Sequence, residues 1–149
     1  LVNSLYLSPE ALNEHNIKLK KKFEKIAENE TRYELYGAED GYDLLMVAFG
    51  TMARIVKTAI DEVREQEGLK VALFRPITVN PYPAAARREA MDGLPEGGKV
   101  FTVEMSMGQL LEDVTLAGEG SREILFHRTA GGVVPSPDEV AAKIREILR

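Results

Sequence analysis

The first thirty residues carry a helical pattern. Ser8 precedes Pro9 and Glu10, so an N-cap serine, a proline in the first turn and an acid near the helix start occur together. Apolar residues then recur at near-heptad spacing through a charged background, at Leu12, Leu19, Phe23 and Ile26. This spacing predicts a long amphipathic helix that ends near Glu28.

From residue 32 onward the pattern changes to short apolar runs separated by helical periodicity. Residues 32–36 alternate polar and apolar side chains, as a half-exposed edge strand does. Runs typical of buried parallel strands lie at 44–49, 71–74, 100–103 and 124–126. Helical spacing follows each of them, at 52–63, 84–91, 107–117 and 136–148. The alternation predicts a three-layer α/β/α sandwich with a mostly parallel sheet, with residues 32–36 as a candidate antiparallel edge strand.

Two of the predicted helices begin with a capping-box sequence. Ser106 and Gln109 fit the first, with the serine side chain accepting from the Gln109 amide and the glutamine side chain accepting from the serine amide. Ser136 and Glu139 fit the second, with Pro137 at the first helical position.

Composition narrows the function more by exclusion than by indication. The 149 residues suffice for one domain, and the net charge of −5 argues against a nucleic-acid surface. No apolar run approaches the roughly 20 residues of a membrane span. With no cysteine, the chain has no thiol nucleophile and no thiolate for an iron–sulfur cluster, and its two histidines lack zinc-site spacing. The lack of cysteine fits a cytoplasmic location.

Candidate functional residues follow the ends of the predicted parallel strands, where open α/β sheets bind ligands and partners. They are Gly50, Thr51, Arg75, Pro76, Glu104, Gly108, Gln109, Gly131 and Gly132.

These candidates have structural interpretations beside the functional one. Gly50 and Thr51 fit a strand-to-helix turn and cap, or an anion site at a helix N-terminus. Arg75 is suited equally to an internal ion pair with Glu104 and to a ligand carboxylate or phosphate. Gln109 fits the capping box better than a ligand contact, and His127 is expected to be a packed imidazole.

Familiar catalytic motifs are missing from the sequence. No G-x-G-x-x-G, G-x-x-x-x-G-K-[ST] or G-x-S-x-G pattern follows a predicted strand. The adjacent acids at 112–113 and 138–139 point to different helix faces and so do not form an acid/base dyad. The chain alone is therefore expected to be inactive.

Four segments resemble a known family when they are taken in order. They are A-F-G-T-M-A-R at 48–54, F-R-P-I-T at 74–78, V-E-M-S-M-G-Q with E-D-V at 103–114, and G-G-V-V-P-S-P-D-E at 131–139. They resemble the C-terminal domain of the α subunit of 2-oxoacid:ferredoxin oxidoreductases, and the 103–109 segment is most similar to subunits of the 2-oxoisovalerate, or branched-chain, type.

This resemblance implies a transketolase C-terminal-like fold with a five-stranded mixed sheet and one antiparallel edge strand. It also implies that residues 1–30 link a missing N-terminal pyrimidine domain to a domain at 31–149, in a piece of a longer subunit. The complete enzyme would convert a 2-oxoacid to acyl-CoA with ferredoxin as electron acceptor. Thiamine diphosphate, Mg and iron–sulfur clusters would be held outside this chain.

The implied partners are the N-terminal pyrimidine domain, a β subunit and a ferredoxin-like cluster subunit, with ferredoxin and coenzyme A meeting the complex. The role expected for the candidate residues is packing between domains or subunits. Two alternatives remain open. One is the equivalent domain of another thiamine enzyme, a transketolase or a branched-chain 2-oxoacid dehydrogenase β subunit. The other is a free-standing α/β module that binds an anion.

Overall fold

The sheet of the computed structural model combines three parallel strand pairings with one antiparallel pairing. The structure describes residues 5–118, 120 and 122–149. Within them the strands are β1 (Tyr33–Tyr36), β2 (Leu44–Val47), β3 (Val71–Pro76), β4 (Lys99–Glu104) and β5 (Ile124–Arg128). Their order is β1-β3-β2-β4-β5, and only β1 with β3 is antiparallel. The predicted mostly parallel sheet with an antiparallel edge strand is confirmed.

Helices cover both faces of this sheet. Helix α1 (Pro9–Glu30) precedes the sheet, and the covering helices are α2 (Gly50–Glu67), α3 (Ala84–Asp92), α4 (Gln109–Gly118) and α5 (Pro137–Ile147). The apolar faces of α2 and α5 share one core with the sheet, whereas α3 and α4 close the other. Every residue of β2 is buried because it lies at the centre of the sheet, between the two helix layers. This arrangement confirms the three-layer sandwich.

Two helices begin as their sequences predict. The Ser8 hydroxyl accepts a hydrogen bond from the Ala11 amide at 3.3 Å at the start of α1. At the start of α5, Ser136 Oγ accepts from the Glu139 amide at 3.2 Å and Glu139 Oε2 accepts from the Ser136 amide at 2.8 Å. Both bonds of the predicted capping box are therefore present in α5.

The start of α4 differs from the prediction. The helix begins at Gln109, and the Gln109 side-chain oxygen accepts from the Met107 amide at 3.1 Å. The Leu110 amide donates to the carboxylate of Glu104 at 2.8 Å. The predicted capping box with Ser106 as N-cap was wrong, because a carboxylate from the end of β4 takes the place of the serine hydroxyl.

Helix α1 stands apart from both cores, since none of its residues is buried. Its C-terminal end is attached to the loop after β3. The Arg32 carbonyl accepts from the amides of Ile77 at 3.0 Å and Thr78 at 3.1 Å, and the Arg32 amide donates to Thr78 Oγ1 at 3.0 Å. Helix α1 thus joins the domain at the end of the sheet where the parallel strands terminate. The boundary at residue 30 stays a prediction.

Candidate functional site at the carboxyl edge of the sheet

Four chain segments meet where the parallel strands end. They follow or complete β2, β3, β4 and β5, and we call them together the carboxyl edge: residues 48–54, 77–83, 105–109 and 128–136. Strand register places Val47, Phe74, Thr102 and Phe126 in one row, so the segments start at a common level. All nine candidate residues lie in these segments or at the adjoining strand ends.

Glu104 is a fully buried carboxylate at the end of β4. Its Oε2 accepts from the Leu110 amide in the first turn of α4, and its Oε1 forms no hydrogen bond within the described residues. Gly108 allows this approach with a positive φ of 123°, and a Cβ on it would lie 3.9 Å from Glu104 Oε1. The N-terminus of α4 is thereby supplied with an internal anion.

Arg75 does not pair with Glu104. Its Nη1 donates to Glu34 Oε2 at 3.1 Å, because antiparallel register places Glu34 on β1 directly opposite Arg75 on β3. Lys57 on α2 donates to the other oxygen of Glu34 at 2.5 Å. The hydrogen bond from Lys57, followed by that from Arg75, lowers the pKa of Glu34 below its ordinary value of 4.5. Arg75 therefore forms an internal ion pair, as one of its two interpretations predicted, but the partner is Glu34 and not Glu104.

The N-terminus of α2 has no side-chain cap. Phe49 occupies the N-cap position without a side-chain hydrogen bond, and Gly50 enters the helix with φ of 57°. Thr51 is the second helical residue and is exposed, so it does not act as the predicted cap. A shallow cavity of about 210 Å³ opens here, lined by Phe49, Gly50, Thr51, Met52, Met105 and Ser106.

The loop after β5 completes the edge. Gly131 and Gly132 are exposed and adopt positive φ angles of 66° and 86°, which most side chains disfavour. His127 on β5 is half-buried. Burial, reinforced by Lys143, lowers the pKa of its imidazole. This environment matches the packed, uncharged imidazole expected from the sequence.

The carboxyl edge exposes many large apolar side chains, which the sequence interpretation missed. Large apolar side chains are exposed on all four segments, at Phe49, Ile77, Val79, Met105, Met107, Val133 and Val134. Only two residues of the edge, Arg54 and Arg128, are charged, although 29% of the whole chain is charged. This scarcity of charge is visible in the sequence and was the signal available.

A second feature missed from the sequence is a buried arginine between α3 and α4. Arg87 is fully buried, and its Nη1 donates to the sulfur of Met91. Its Nε and Nη2, like the nearby Tyr82 hydroxyl, form no hydrogen bond within the described residues. Burial lowers the pKa of Arg87 and raises that of Tyr82.

The described residues contain neither a candidate metal centre nor a membrane-spanning helix. No group of three or more His, Asp or Glu side chains is placed to hold a metal ion there. None of the helices in that part of the chain is both long enough and apolar enough to cross a bilayer.

Strand order and layering define a three-layer α/β domain with a mixed sheet. The chain belongs to the family of pyruvate:ferredoxin oxidoreductase core domain II, whose model matches residues 43–140. The resemblance drawn from four sequence segments is confirmed by this match.

Curated relatives extend the similarity to nearly the whole chain. The ketoisovalerate oxidoreductase subunit VorB of Methanothermobacter marburgensis is 41% identical over 99% of this chain and 40% of its own length. The 2-oxoglutarate synthase subunit KorA of the same organism is 31% identical over 72% of this chain and 28% of its own length. The chain thus spans about two fifths, or less, of the curated relatives it matches.

Solved structures share the fold. A 2-oxoglutarate:ferredoxin oxidoreductase from Magnetococcus marinus, with 2-oxoglutarate, coenzyme A and succinyl-CoA bound, matches 97% of this chain and 24% of its own with a TM-score of 0.78 at 22% identity. An inactive β4 tetramer of a split-gene transketolase matches 77% of this chain and 41% of its own with a TM-score of 0.58 at 17% identity. The transketolase-like fold is confirmed.

Proposed function

We propose that this chain is a structural and assembly domain of the α subunit of a 2-oxoacid:ferredoxin oxidoreductase. The complete enzyme would oxidatively decarboxylate a 2-oxoacid to acyl-CoA and pass the electrons to ferredoxin. The observation that carries the proposal is the 41% identity to a ketoisovalerate oxidoreductase subunit across 99% of the chain. Identity to a 2-oxoglutarate synthase subunit is lower, at 31% over 72% of the chain. This difference favours a branched 2-oxoacid over 2-oxoglutarate as substrate.

The residues of this domain do not fit the cofactors of such an enzyme. Iron–sulfur clusters need thiolate ligands, and the chain has no cysteine. Mg²⁺ needs accessible oxygen ligands, whereas the carboxylate nearest the carboxyl edge, Glu104, is buried and accepts from the Leu110 amide. Thiamine diphosphate with its Mg²⁺ and the clusters therefore belong, in this proposal, to other domains and subunits.

The proposed partners are the N-terminal pyrimidine domain of the same subunit, a β subunit and a ferredoxin-like cluster subunit. Ferredoxin and coenzyme A would meet the assembled complex, which we place in the cytoplasm. The strand-end segments that contain Gly50, Thr51, Pro76, Gly108 and Gln109 are the proposed packing surface, together with the exposed Gly131–Gly132 loop. Arg75 contributes to that surface indirectly, through its ion pair with Glu34 on the edge strand.

Activity of the assembled enzyme tests the proposal. The full-length α subunit is produced with the subunits encoded beside it and purified without oxygen. Coenzyme A-dependent reduction of a viologen dye is then followed with 2-oxoisovalerate, 2-oxoglutarate or pyruvate. We expect the highest kcat/KM with 2-oxoisovalerate and no turnover by the 149-residue chain alone.

Two outcomes would contradict parts of this proposal. An assembled complex that reduces the dye with none of the three acids would remove the oxidoreductase assignment. Turnover by the isolated chain, with or without added thiamine diphosphate, would show that this domain is more than structural. A higher kcat/KM with 2-oxoglutarate would correct the substrate and leave the reaction type in place.

A further inference from the structure

We propose that the carboxyl edge is a docking surface for a separate subunit of the enzyme, whose complementary surface is apolar at its centre and carries carboxylates that pair with Arg54 and Arg128. This inference rests on the proposed function, because it takes the partner to be a subunit of the same complex. It adds that the partner at this surface is a separate subunit, and it adds the chemistry of that partner's surface.

Exposed apolar side chains first identify the surface. Met107 is 60% exposed, Val133 62%, Ile77 52% and Phe49 38%, and they come from the four loops that follow four adjacent strands. Common strand register places the origins of these loops side by side, so the apolar side chains lie along one end of the sheet. Large exposed apolar side chains gathered at one end of a domain favour a site of protein association.

Charge composition then distinguishes a protein partner from a small anion. Interface centres are depleted in lysine, aspartate and glutamate and enriched in aromatic residues, methionine and arginine. The carboxyl edge has no lysine, aspartate or glutamate, and it contains two exposed methionines, Phe49 and two arginines. The cavity at Phe49 and Met105 is lined by no charged side chain, so a small anion bound there would have no cationic partner among its lining residues.

The two arginines indicate the sign of the partner. Arg54 and Arg128 are exposed and form no ion pair with any residue that the structure describes, while Arg75 is already paired with Glu34. Arg128 lies 5.9 Å from the ring centre of Phe126, which leaves its donors available. An edge with two unpaired cations and no exposed acid is complementary to carboxylates.

Unpaired charge also favours a separate subunit over a tethered domain of the same chain. A tether already raises the effective concentration of two domains, so their docking gains little from long-range attraction. Separate proteins gain association rate from complementary charge at the rim of the interface. Arg54 and Arg128 belong to the same strand-end segments as the exposed apolar side chains, so they can supply such charges.

The test compares two exposed apolar positions in and beside α4. Met107 lies in the carboxyl edge, and Leu116, which is 77% exposed, lies outside it. Met107→Glu in the full-length α subunit should weaken its association with the co-produced subunits by about 30-fold or more, as measured by titration of the purified proteins. Leu116→Glu should leave the affinity within about 3-fold of wild type.

Stability of the subunit distinguishes docking from folding. We expect the thermal midpoint of the free α subunit to be the same for wild type and Met107→Glu. A lowered midpoint with unchanged assembly would overturn the proposal in favour of an intrasubunit contact. Equal weakening by both substitutions would overturn it too, because the surface would then not be specific.

A salt titration tests the chemistry of the partner. Affinity of wild type should fall as NaCl rises from about 50 to about 500 mM, since this range screens exposed charge pairs. Arg54→Ala with Arg128→Ala should weaken binding by about 10-fold at low salt and flatten the salt dependence. A wild-type affinity independent of salt would contradict the acidic partner.

Failure of this inference differs from failure of the proposed function. If Met107→Glu assembles normally in a complex that oxidises 2-oxoisovalerate, the docking surface is wrong and the function stands. If assembly depends on Met107 but no 2-oxoacid is oxidised, the docking surface stands and the function is wrong.

Discussion

The two ends of the sheet have opposite surfaces. At the amino edge, in residues 37–43, 68–70, 93–98, 120 and 122–123, five acids are exposed: Glu39, Asp40, Asp43, Glu96 and Glu123. None of the described residues there exposes a large apolar side chain. At the carboxyl edge large apolar side chains are exposed on every segment, two arginines are exposed, and no acid is exposed.

Folding of the domain alone does not account for this difference between the two edges. Folding requires both ends of a strand to turn, but it does not require one set of turns to be acidic and the other apolar. Exposed apolar side chains add nothing to the free energy of folding of the isolated domain, because they remain in water. The contrast is what the proposed association at the carboxyl edge predicts, and the acids at the amino edge favour solubility there.

The largest effect on stability should come from Glu104, the buried acid next to the carboxyl edge. Glu104→Ala removes the acceptor of the Leu110 amide and leaves a small cavity, so we expect it to lower the free energy of unfolding by about 2–4 kcal/mol. Urea unfolding of the 149-residue chain measures this. Glu104→Gln retains an acceptor and the side-chain volume, and should lose less than half as much. Equal losses would contradict a capping role.

Glu104 also shows where prediction from the sequence ends. The α/β alternation, the antiparallel edge strand and the α5 capping box follow from local patterns, and the structure has all three. At the start of α4 the Ser106 hydroxyl and the Glu104 carboxylate are both possible acceptors for the first helical amides, and sequence spacing does not show which of them binds. Glu104 precedes the helix by five residues and caps it only because β4 ends beside the first turn.

Arg75 shows the same limit for ion pairs. Adjacent parallel strand ends suggested Glu104 as its partner, yet the antiparallel register of β1 places Glu34 opposite Arg75. The register of a strand depends on which strand lies beside it. The sequence of one strand alone does not specify its neighbour, and so it does not specify which residue lies opposite. Sequence reasoning also looked for polar residues in the loops and so passed over the apolar ones that form the candidate surface.

Matched glycine substitutions sharpen the comparison of the two edges. Gly50 at the carboxyl edge and Gly41 at the amino edge have φ of 57° and 76°, and a Cβ on either would meet no atom within 4 Å. Each substitution by alanine should therefore cost about 1–2 kcal/mol through backbone strain alone. Thermal unfolding should give similar losses for both variants. Only Gly50→Ala should also weaken assembly of the enzyme, and equal assembly would count against the carboxyl edge as the interface.

Acid titration separates a structural carboxylate from a solubilising one. Lys57 and Arg75 lower the pKa of the Glu34 carboxylate below its ordinary value of 4.5. The carboxylate therefore stabilises the fold fully at pH values above 4.5, and this contribution is lost as the pH falls through the lowered pKa. Glu34→Gln should cost about 0.5–1 kcal/mol at neutral pH, because the pair is partly exposed.

The measurement is the thermal midpoint of each variant from about pH 7 to about pH 3. The gap between wild type and Glu34→Gln should narrow as the pH decreases. Glu39→Gln at the amino edge, an exposed acid, should follow the wild-type curve throughout. A gap that persists at the acidic end would mean that Glu34 contributes by packing and not by its charge.

The smallest effect on stability should come from the apolar surface itself. Met107→Ser replaces a side chain that is 60% exposed, so the free energy of unfolding of the 149-residue chain should change by no more than about 0.5 kcal/mol. Its solubility should rise, because the same surface without its partner promotes self-association. Glu96→Ser at the amino edge should do the reverse and lower solubility. Light scattering at increasing protein concentration measures self-association of both variants. If the wild-type chain stays monomeric and Met107→Ser is no more soluble than wild type, the distinction between the two edges is lost.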